Sequence, residues 1–185
     1  MKKIIVIGNA SSILNINKKE KINSFDIVIR CNSFQIKGYE NYVGTKTDII
    51  SIIGSGAGLK DYIKNYKDNS KNIKTIWFSR PKNLCFKQHK KLITPHKIIE
   101  YPSIKLFKKL QTKLNNFKNL PSTGIVTIEM ALNVFKSPIY ITGFDFFKTN
   151  HYHNNKKKKI GRSHPSTSEK KLINTYKKEL KIKEI

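Results

Sequence analysis

Acidic residues are scarce in this sequence. Its 12 Asp and Glu residues are outnumbered by 37 Lys and Arg residues, so the formal net charge is +25. Such a balance favours polyanionic partners, which include nucleic acid, an anionic membrane face and a phosphorylated substrate. The chain is also rich in Lys, Asn and Ile together, as an AT-rich genome would encode, and codon bias is therefore an alternative source of the charge. Hydrophobic residues make up 38% of the chain, which argues against a disordered tract.

Cysteines and long apolar runs are also few. Cys31 and Cys85 form no CxxC pair and no disulfide framework, so nothing indicates an oxidising compartment. No apolar run approaches the length of a membrane span, and the run that ends at Gly8 is too short for the core of a signal peptide. We therefore expect a cytoplasmic protein. The length of 185 residues is enough for one core, and we expect a single domain over residues 1–185.

Short apolar runs alternate with helical periodicity along the chain. The runs predict strands at 4–7, 25–30, 47–53, 74–79, 98–99 and 139–142. Apolar stripes predict three helices, marked by Ile104, Phe107, Leu110 and Leu114, by Ile128, Ala131, Leu132 and Phe135, and by Leu172, Ile173, Tyr176 and Leu180. This alternation is typical of an α/β fold, a Rossmann-like parallel sheet flanked by crossover helices.

Polar residues follow the first two predicted strands. Asn9 follows Gly8 at the end of the first, and Asn32 follows Arg30 at the end of the second. Ligands bind at this edge of a parallel sheet, so the two amides are candidates for contacts with the phosphate or ribose of a nucleotide. The alternatives are a tight turn at Gly8 and a structural ion pair of Arg30, with Asp26 or Asp48.

Two glycine-containing segments have different interpretations. Residues 54–58 read G-x-G-x-G rather than G-x-G-x-x-G, which favours a flexible turn over a dinucleotide site. Residues 121–124 precede an apolar stripe, and Ser122 or Thr123 is a natural N-cap for that helix. The free amides behind the cap could hold a phosphate or a ribose, and both roles are compatible.

Histidines are concentrated near the end of the chain. His151, His153 and His164 follow the last predicted strand, where an α/β sheet presents catalytic groups. His164 lies just before a helix whose dipole disfavours imidazolium, and a neutral imidazole can act as a general base. Ser166-x-x-Glu169 reads as a capping box, which predicts a capping role for Glu169. The histidine spacing is loose for zinc, so we expect no metal. His89 and His96 are expected on the surface.

In their order along the chain, these segments resemble the sialyl motifs of glycosyltransferase family 29, the sialyltransferases. The large motif is matched by residues 6–11, 25–32, 39–40 and 43–48, and the small motif by 121–124, 131–132 and 141–145. His151-Tyr152 is similar to motif III, and His164-Pro165 with Glu169-Lys170 to the very small motif. A bacterial family of related fold shares some of these segments. Animal members carry an N-terminal membrane anchor, and we expect a bare catalytic domain of the bacterial type here.

The resemblance implies a GT-A-like sheet of the sialyltransferase variant, CMP-sialic acid as donor substrate, and neither cofactor nor metal. His164 is the implied base, and His151 is implied to face the donor phosphate. The residues implied to bind the donor are Asn9, Asn32, Ser122, Thr123, Gly124, Gly143 and Asp145. Asn9 and Asn32 would contact its phosphate and ribose, and Gly143 and Asp145 would lie near its ribose or cytosine.

The chain departs from the family pattern in three ways. The disulfide that joins the large and small motifs of the animal family has no equivalent cysteines, the chain is short, and His153 has no role. A glycan or a lipid-linked glycan is the expected acceptor, and the basic surface suggests peripheral contact with an anionic inner membrane. The alternatives are transfer of another keto sugar such as Kdo, an inactive nucleotide-binding relic, and a basic nucleic-acid- or anion-binding protein. We find no nucleic-acid motif and expect no specific nucleic-acid partner.

Overall fold

The fold is built on one parallel β-sheet. The computed structural model describes residues 2–66, 72–92, 98–153 and 164–185. Seven strands form the sheet: β1 (Ile4–Ile7), β2 (Ile27–Cys31), β3 (Ile49–Ile52), β4 (Thr75–Phe78), β5 (Ile98–Glu100), β6 (Ile139–Thr142) and β7 (Ile182–Glu184). Their order is β5-β4-β3-β2-β1-β6-β7, and every neighbouring pair is parallel. The predicted α/β class with a parallel sheet is thus confirmed.

Within the described residues, six α-helices connect and cover these strands. They are α1 (Lys19–Asn23), α2 (Glu40–Val43), α3 (Gly56–Asn65), α4 (Ile104–Lys113), α5 (Thr123–Phe135) and α6 (Ser166–Lys178). Short 3₁₀ helices lie at Ser11–Asn15, Lys82–Leu84 and Lys87–Leu92. Among the described residues, no helix is both long and apolar enough to cross a membrane.

The core lies on both faces of the sheet, because successive strand side chains point to opposite sides. Ile4 and Val6 of β1 pack in the cluster that contains apolar residues of α4, α5 and α6. Ile5 and Ile7 pack on the opposite face, where Ile22 of α1 and Val43 of α2 are buried. All four residues of β1 are therefore buried, which explains the unbroken run of β-branched residues in this central strand.

The three predicted helices are confirmed, but other elements were missed. The strand β7 was not predicted, because only its first residue, Ile182, is buried. The prediction of a flexible turn over 54–58 is wrong, since α3 begins at Gly56. Leu180 was assigned to the apolar stripe of the last helix, yet it lies beyond α6 and is exposed. The prediction of one domain over residues 1–185 stays a prediction.

The order in which strands are added to the sheet reverses between β1 and β6. Strands β2 to β5 follow one another on one side of β1, whereas β6 and β7 lie on the other side. Parallel sheets open a crevice at the carboxyl ends of the strands where the order reverses in this way. The fold therefore indicates a binding site next to Gly8 and Gly143, which follow β1 and β6.

Candidate active site

A cleft of about 810 Å³ lies at the carboxyl edge of the sheet. The structure brings all nine predicted site residues to its walls. They are Asn9, Asn32, Ser122, Thr123, Gly124, Gly143, Asp145, His151 and His164. Residues that are as far apart in sequence as Asn9 and His164 thus share one cavity.

Two glycines form the contact between the ends of β1 and β6. The Gly8 amide donates to the Thr142 carbonyl at 2.9 Å. Gly143 has a φ of 71°, and a Cβ on it would lie 2.7 Å from the Gly8 carbonyl oxygen. A Cβ on Gly8 would in turn overlap the Gly143 carbonyl oxygen. Only glycine at both positions lets the two backbones approach so closely, and this approach shapes the cleft where the strand order reverses.

Gly124, near the beginning of α5, has a similar packing role. A Cβ on it would lie 2.6 Å from Cε1 of the Phe144 ring. The absent side chain therefore makes room for an aromatic ring that also lines the cleft. The resemblance implies that Gly124 lines the nucleotide site, and the structure adds that its neighbour in that lining is Phe144.

The side-chain amide of Asn9 donates hydrogen bonds to the backbone. Its Nδ2 donates to the Cys31 carbonyl at 2.7 Å and to the Ser33 carbonyl at 2.8 Å. These two bonds use both amide hydrogens, so the side-chain donor expected for a phosphate is already engaged. The part of Asn9 that remains for a ligand is the acceptor, Oδ1. Asn9 thus ties the end of β1 to the end of β2.

Asn32 keeps a donor available. Its Oδ1 accepts from the Ile53 amide at 2.9 Å, and within the described residues its Nδ2 has no partner. Its φ of 50° lies in the left-handed region, which Asn tolerates better than most residues. This conformation turns the chain sharply after β2. Of the two predicted amides, Asn32 is therefore the one with a free hydrogen-bond donor in the cleft.

Arg30 has the structural role considered for it, but with different partners. Its Nη2 donates to the carbonyls of Val43, Gly44 and Lys46, and its Nε donates to the Thr47 hydroxyl at 2.8 Å. The predicted ion pair with Asp26 or Asp48 is wrong. Arg30 is 1% exposed, and burial lowers its pKa to about 10. The guanidinium thus fixes the segment between α2 and β3.

Ser122 connects the beginnings of α5 and α6. Its Oγ accepts from the Ile125 amide at 3.3 Å, which confirms it as the N-cap of α5. Its own amide donates to Oε1 of Glu169, and its hydroxyl donates to Oε2, both at 2.7 Å. The capping-box prediction for Glu169 is wrong, because α6 begins at Ser166 and no side chain caps it. The carboxylate instead points inward to the other helix.

Burial sets the electrostatics of Glu169. This side chain is 3% exposed, and desolvation raises its pKa above the ordinary value of 4.5. The two bonds from Ser122 oppose that rise, as do the charge of Arg80 and that of His164 when its ring is protonated. A carboxylate buried here therefore depends on its hydrogen bonds, since a buried charge without partners is costly.

Thr123 is the first residue of α5 and is buried. Its hydroxyl shares a hydrogen bond of 3.1 Å with that of Ser79, at the end of β4. The first amides of a helix have no partner within the helix, and they attract anions. The beginning of α5 therefore offers backbone donors to the cleft, while the Thr123 side chain holds the helix to the sheet.

His164 is oriented as a proton acceptor. Its Nδ1 lies 2.9 Å from the Leu120 carbonyl oxygen. A carbonyl can only accept, so Nδ1 carries the hydrogen, and Nε2 of the neutral ring has a lone pair with no partner in the described part of the chain. The Phe147 ring stacks on the imidazole, with centroids 5.3 Å apart and planes inclined by 18°. These two contacts fix both the tautomer and the plane of the ring.

His151 enters the cleft from a loop that is fastened to β1. Its backbone forms an antiparallel bridge with Ala10, and the next amide, that of Tyr152, donates to the Asn9 carbonyl at 3.0 Å. The Tyr152 hydroxyl is anchored in turn, since it donates to the Gln35 carbonyl at 2.6 Å. The His153 ring lies 5.6 Å from that of His151 and 6.0 Å from that of Tyr66.

The described residues contain no group of three or more His, Cys, Asp or Glu side chains that could hold a metal ion. The lysine run at 156–159, which precedes His164, lies outside these residues. The expectation of no metal requirement stays a prediction.

Asp145 closes its own loop. Its Oδ2 accepts from the Thr149 amide at 2.8 Å and from the Thr149 hydroxyl. The Thr149 hydroxyl also accepts from the Ser11 amide at 3.0 Å, which links this loop to the segment after β1. Asp145 lines the cleft, as expected, and the structure adds that it holds the loop between β6 and His151.

Sequence reasoning missed Arg80 and misjudged His89. Arg80 follows β4, is 2% exposed and lines the cleft. The available signal was a basic residue near the end of an apolar strand, as at Arg30. His89 was expected on the surface, but it is buried, with Nδ1 2.6 Å from the Phe86 carbonyl and Nε2 2.9 Å from the Tyr101 hydroxyl. His96 lies outside the described residues.

Comparison with solved structures shows the same fold. A mammalian sialyltransferase in complex with Gal-beta-1-3GalNAc-ortho-nitrophenol matches with a TM-score of 0.68 and 18% identity, over 100% of this chain and 69% of the other. The sialyltransferase CstII from Campylobacter jejuni, in complex with cytidine-5'-monophosphate, matches with a TM-score of 0.63 and 23% identity, over 100% and 79%. The sheet thus has the GT-A-like arrangement of the sialyltransferases.

Sequence comparison identifies the family. The human CMP-N-acetylneuraminate-beta-galactosamide-alpha-2,3-sialyltransferase 4 is 23% identical over 174 residues, 78% of this chain and 50% of the relative. A rat lactosylceramide alpha-2,3-sialyltransferase is 42% identical over 60 residues, 32% and 16%. The chain spans about half the length, or less, of the curated relatives it matches. Because the model of glycosyltransferase family 29 (sialyltransferase) matches residues 1–181, the chain belongs to this family.

Proposed function

We propose that this protein is a CMP-sugar-dependent glycosyltransferase, which transfers sialic acid or a related keto sugar to a hydroxyl group of a glycan. The observation that carries the proposal is the convergence of all nine predicted residues in one cleft, within a chain of family 29. A solved relative that binds cytidine-5'-monophosphate supports the choice of donor. Kdo is the alternative keto sugar, since its donor carries the same nucleotide.

His164 is the proposed general base. Its Nε2 accepts the proton of the acceptor hydroxyl while that oxygen forms a bond to the anomeric carbon. The bond from this carbon to the phosphate oxygen breaks, and CMP leaves with the electron pair. Attack from the face opposite the leaving group inverts the configuration at the anomeric carbon. The Nδ1 bond to Leu120 supports this role, because it leaves Nε2 as the acceptor.

The leaving phosphate requires fixed positive and polar groups. The proposed partners are His151, the free Nδ2 of Asn32 and the first amides of α5. Donors that are already oriented towards a developing charge need no reorganisation during the reaction, and we propose that they replace the metal ion that other glycosyltransferases use. Asn9 would act differently, with its Oδ1 accepting a bond from the ribose or the base.

The acceptor is proposed as a class only. The relatives named above carry an alpha-2,3 linkage in their names, but one name gives lactosylceramide and the other a beta-galactosamide as acceptor. We therefore propose a glycan, free or linked to a lipid, and do not choose between them.

We also propose a cytoplasmic enzyme that binds weakly to an anionic membrane, because the net charge of +25 would attract it to anionic lipids. Vesicles that contain phosphatidylserine should therefore retain more protein than pure phosphatidylcholine vesicles, and added salt should reduce the difference. Equal retention on both kinds of vesicle would contradict this part of the proposal.

Calorimetric titration with CMP, with UMP and AMP as controls of equal charge, tests the donor site. Selective binding of CMP is the expected result. Equal, weak and salt-sensitive binding of all three would indicate that the basic surface holds phosphates without specificity, and the transferase proposal would fail. A transfer assay with CMP-sialic acid and several glycans follows, and selective CMP binding without any transfer would support a nucleotide-binding relic.

A further inference from the structure

Two adjacent phenylalanines in the cleft have an unusual backbone conformation. Phe146 has a φ of 59° and Phe147 a φ of 66°, and both residues line the cleft. Among the described residues, no other adjacent pair of non-glycine residues has positive φ values. Bulky residues rarely adopt this left-handed region, because it brings Cβ close to the following carbonyl oxygen. Strain of this kind persists only where the surrounding structure fixes it, and it is concentrated at functional sites.

The loop that carries these residues is fastened at both ends. At its start, the Ala10 amide donates to the Gly143 carbonyl at 3.0 Å. At its end, the Ser11 amide donates to the Asn150 carbonyl and to the Thr149 hydroxyl, each at 3.0 Å. Both ends are thus bonded to the segment that follows β1. The chain between them must turn within a few residues, and the strained pair lies in that turn.

The turn directs its aromatic rings to different places. Phe144 and Phe146 pack against the core cluster that contains apolar residues of α4, α5 and α6. Phe147 instead stacks on the His164 imidazole, with the two planes inclined by 18°. The strained backbone therefore places one flat ring against the proposed general base.

This stack supplies a restraint that the hydrogen bond of His164 does not. The bond to the Leu120 carbonyl holds the imidazole at one atom, Nδ1. A ring held at a single atom can still tilt about that atom, and tilting would displace Nε2. The Phe147 ring opposes the tilt because it packs flat against one face of the imidazole. Proton transfer requires the base to lie within hydrogen-bond reach of the acceptor hydroxyl, so the plane of this ring affects turnover.

We infer that Phe147 is a positioning residue, which holds the imidazole plane of His164 for proton transfer. The inference rests on the proposed function, since it assumes that His164 is the general base. Phe147 has no proton to exchange and acts through His164 alone. It should therefore affect turnover and not the affinity for CMP, and its effect should disappear when His164 is absent.

Steady-state kinetics and calorimetry test the inference. The assay measures release of CMP from CMP-sialic acid, with a glycan that the wild type accepts. Phe147→Leu keeps an apolar side chain but loses the flat ring. We expect its kcat to fall about 10- to 100-fold, because a misplacement of about 1 Å can cost about 100-fold in rate. The affinity for CMP should equal that of the wild type. Phe147→Tyr keeps the ring and should retain most of the wild-type kcat.

The double variant Phe147→Leu/His164→Ala distinguishes positioning from a general structural role. Residues that act as a unit have effects that do not add. We therefore expect the double variant to turn over as slowly as His164→Ala alone. A merely structural role of Phe147 would instead lower turnover by the same factor in both backgrounds.

Phe135→Leu is the matched control. Phe135 is the last residue of α5, and its ring stacks on Trp77 with planes inclined by 27°, outside the lining of the cleft. The same substitution thus removes a stacked phenylalanine ring away from the base. It should lower the stability of the protein and leave kcat unchanged.

Four outcomes would overturn the inference. They are an unchanged kcat of Phe147→Leu, a weaker affinity of this variant for CMP with normal kcat, an equal loss in Phe147→Tyr, and a full additional loss in the double variant. Near-normal turnover of His164→Ala, or no transfer by the wild type, would instead contradict the proposed function.

Discussion

The two walls of the cleft use their polar side chains in different ways. The strand-end wall consists of Gly8, Asn9, Asn32, Gly143 and Asp145, and in it each polar side chain is bonded to the backbone through one of its two polar atoms. The helix-start wall consists of Ser122, His164 and Glu169. There, Nδ1 of His164 is held by the Leu120 carbonyl, while Nε2 has no hydrogen-bond partner among the described residues. The first wall therefore determines the shape of the site and keeps the Asn32 Nδ2 donor, whereas the second holds the proposed general base.

The largest expected effect concerns the helix-start wall. Replacement of His164 by alanine should lower turnover by roughly 10²- to 10⁴-fold, because the acceptor hydroxyl loses its general base. The affinity for CMP should change little, since the base acts on the acceptor. Steady-state release of CMP and calorimetry measure the two quantities. His153→Ala, which removes an imidazole outside the lining of the cleft, is the control, and near-normal turnover of His164→Ala would refute the assignment.

A smaller effect, on stability, is expected from the strand-end wall. Gly8→Ala would force a Cβ into the Gly143 carbonyl, and overpacking of this kind costs about 1–3 kcal/mol of unfolding free energy. The affinity for CMP should fall with it, because the strand ends must separate. Gly58→Ala is a suitable control, since this residue lies within α3 and its Cβ would meet only the Ile53 side chain. Equal urea midpoints for Gly8→Ala and the wild type would contradict the predicted overlap.

The smallest expected effect is a change in how the unfolding free energy depends on pH. Burial raises the pKa of Glu169 above its unfolded value of 4.5, so the protonated form is favoured in the folded protein. The stability from this group is present below that value and is lost as pH rises through the folded pKa. The unfolding free energy of the wild type, relative to that of Glu169→Gln, should therefore fall as the pH rises above the ordinary carboxyl pKa of 4.5. A difference that stays flat over this rise in pH would contradict the prediction.

Glu40→Gln provides a control of opposite sign. Backbone N–H bonds, its own and that of Gly38, lower the pKa of this exposed carboxylate. Its contribution to stability is therefore present above the unfolded value and lost as pH falls through the folded pKa. Urea unfolding at several pH values measures both differences, and they should have opposite slopes.

Much of the fold could be predicted because its signals are local. The β-branched run of β1 and the runs that became β2, β3, β4 and β6 indicate buried strands wherever they occur. The edge strand β7 escaped prediction since most of its residues are exposed and its pairing with β6 is distant in sequence. The beginning of α3 was missed because glycines at its start resemble a turn.

The members of the site could be predicted, but the roles of several could not. Motif order and strand ends indicated which residues meet in the cleft. The capping role expected for Glu169 was wrong. The local sequence pattern predicted a bond within its own helix, but the carboxylate accepts bonds from Ser122, which is 47 residues away. Asn9 was expected to donate to a ligand, and only the folded backbone shows that its donors are taken.

The sequence by itself determined the class of fold, the family and the set of residues at the carboxyl edge of the sheet, because these depend on apolar periodicity and on short motifs in a fixed order. The tertiary structure alone decided which atoms of those residues remain free. Within the described residues, Nε2 of His164 and Nδ2 of Asn32 have no hydrogen-bond partner, while the Leu120 carbonyl and the Ile53 amide hold the other polar atom of each side chain. Hydrogen-bond partners of this kind are set by packing across the chain, which no local pattern specifies.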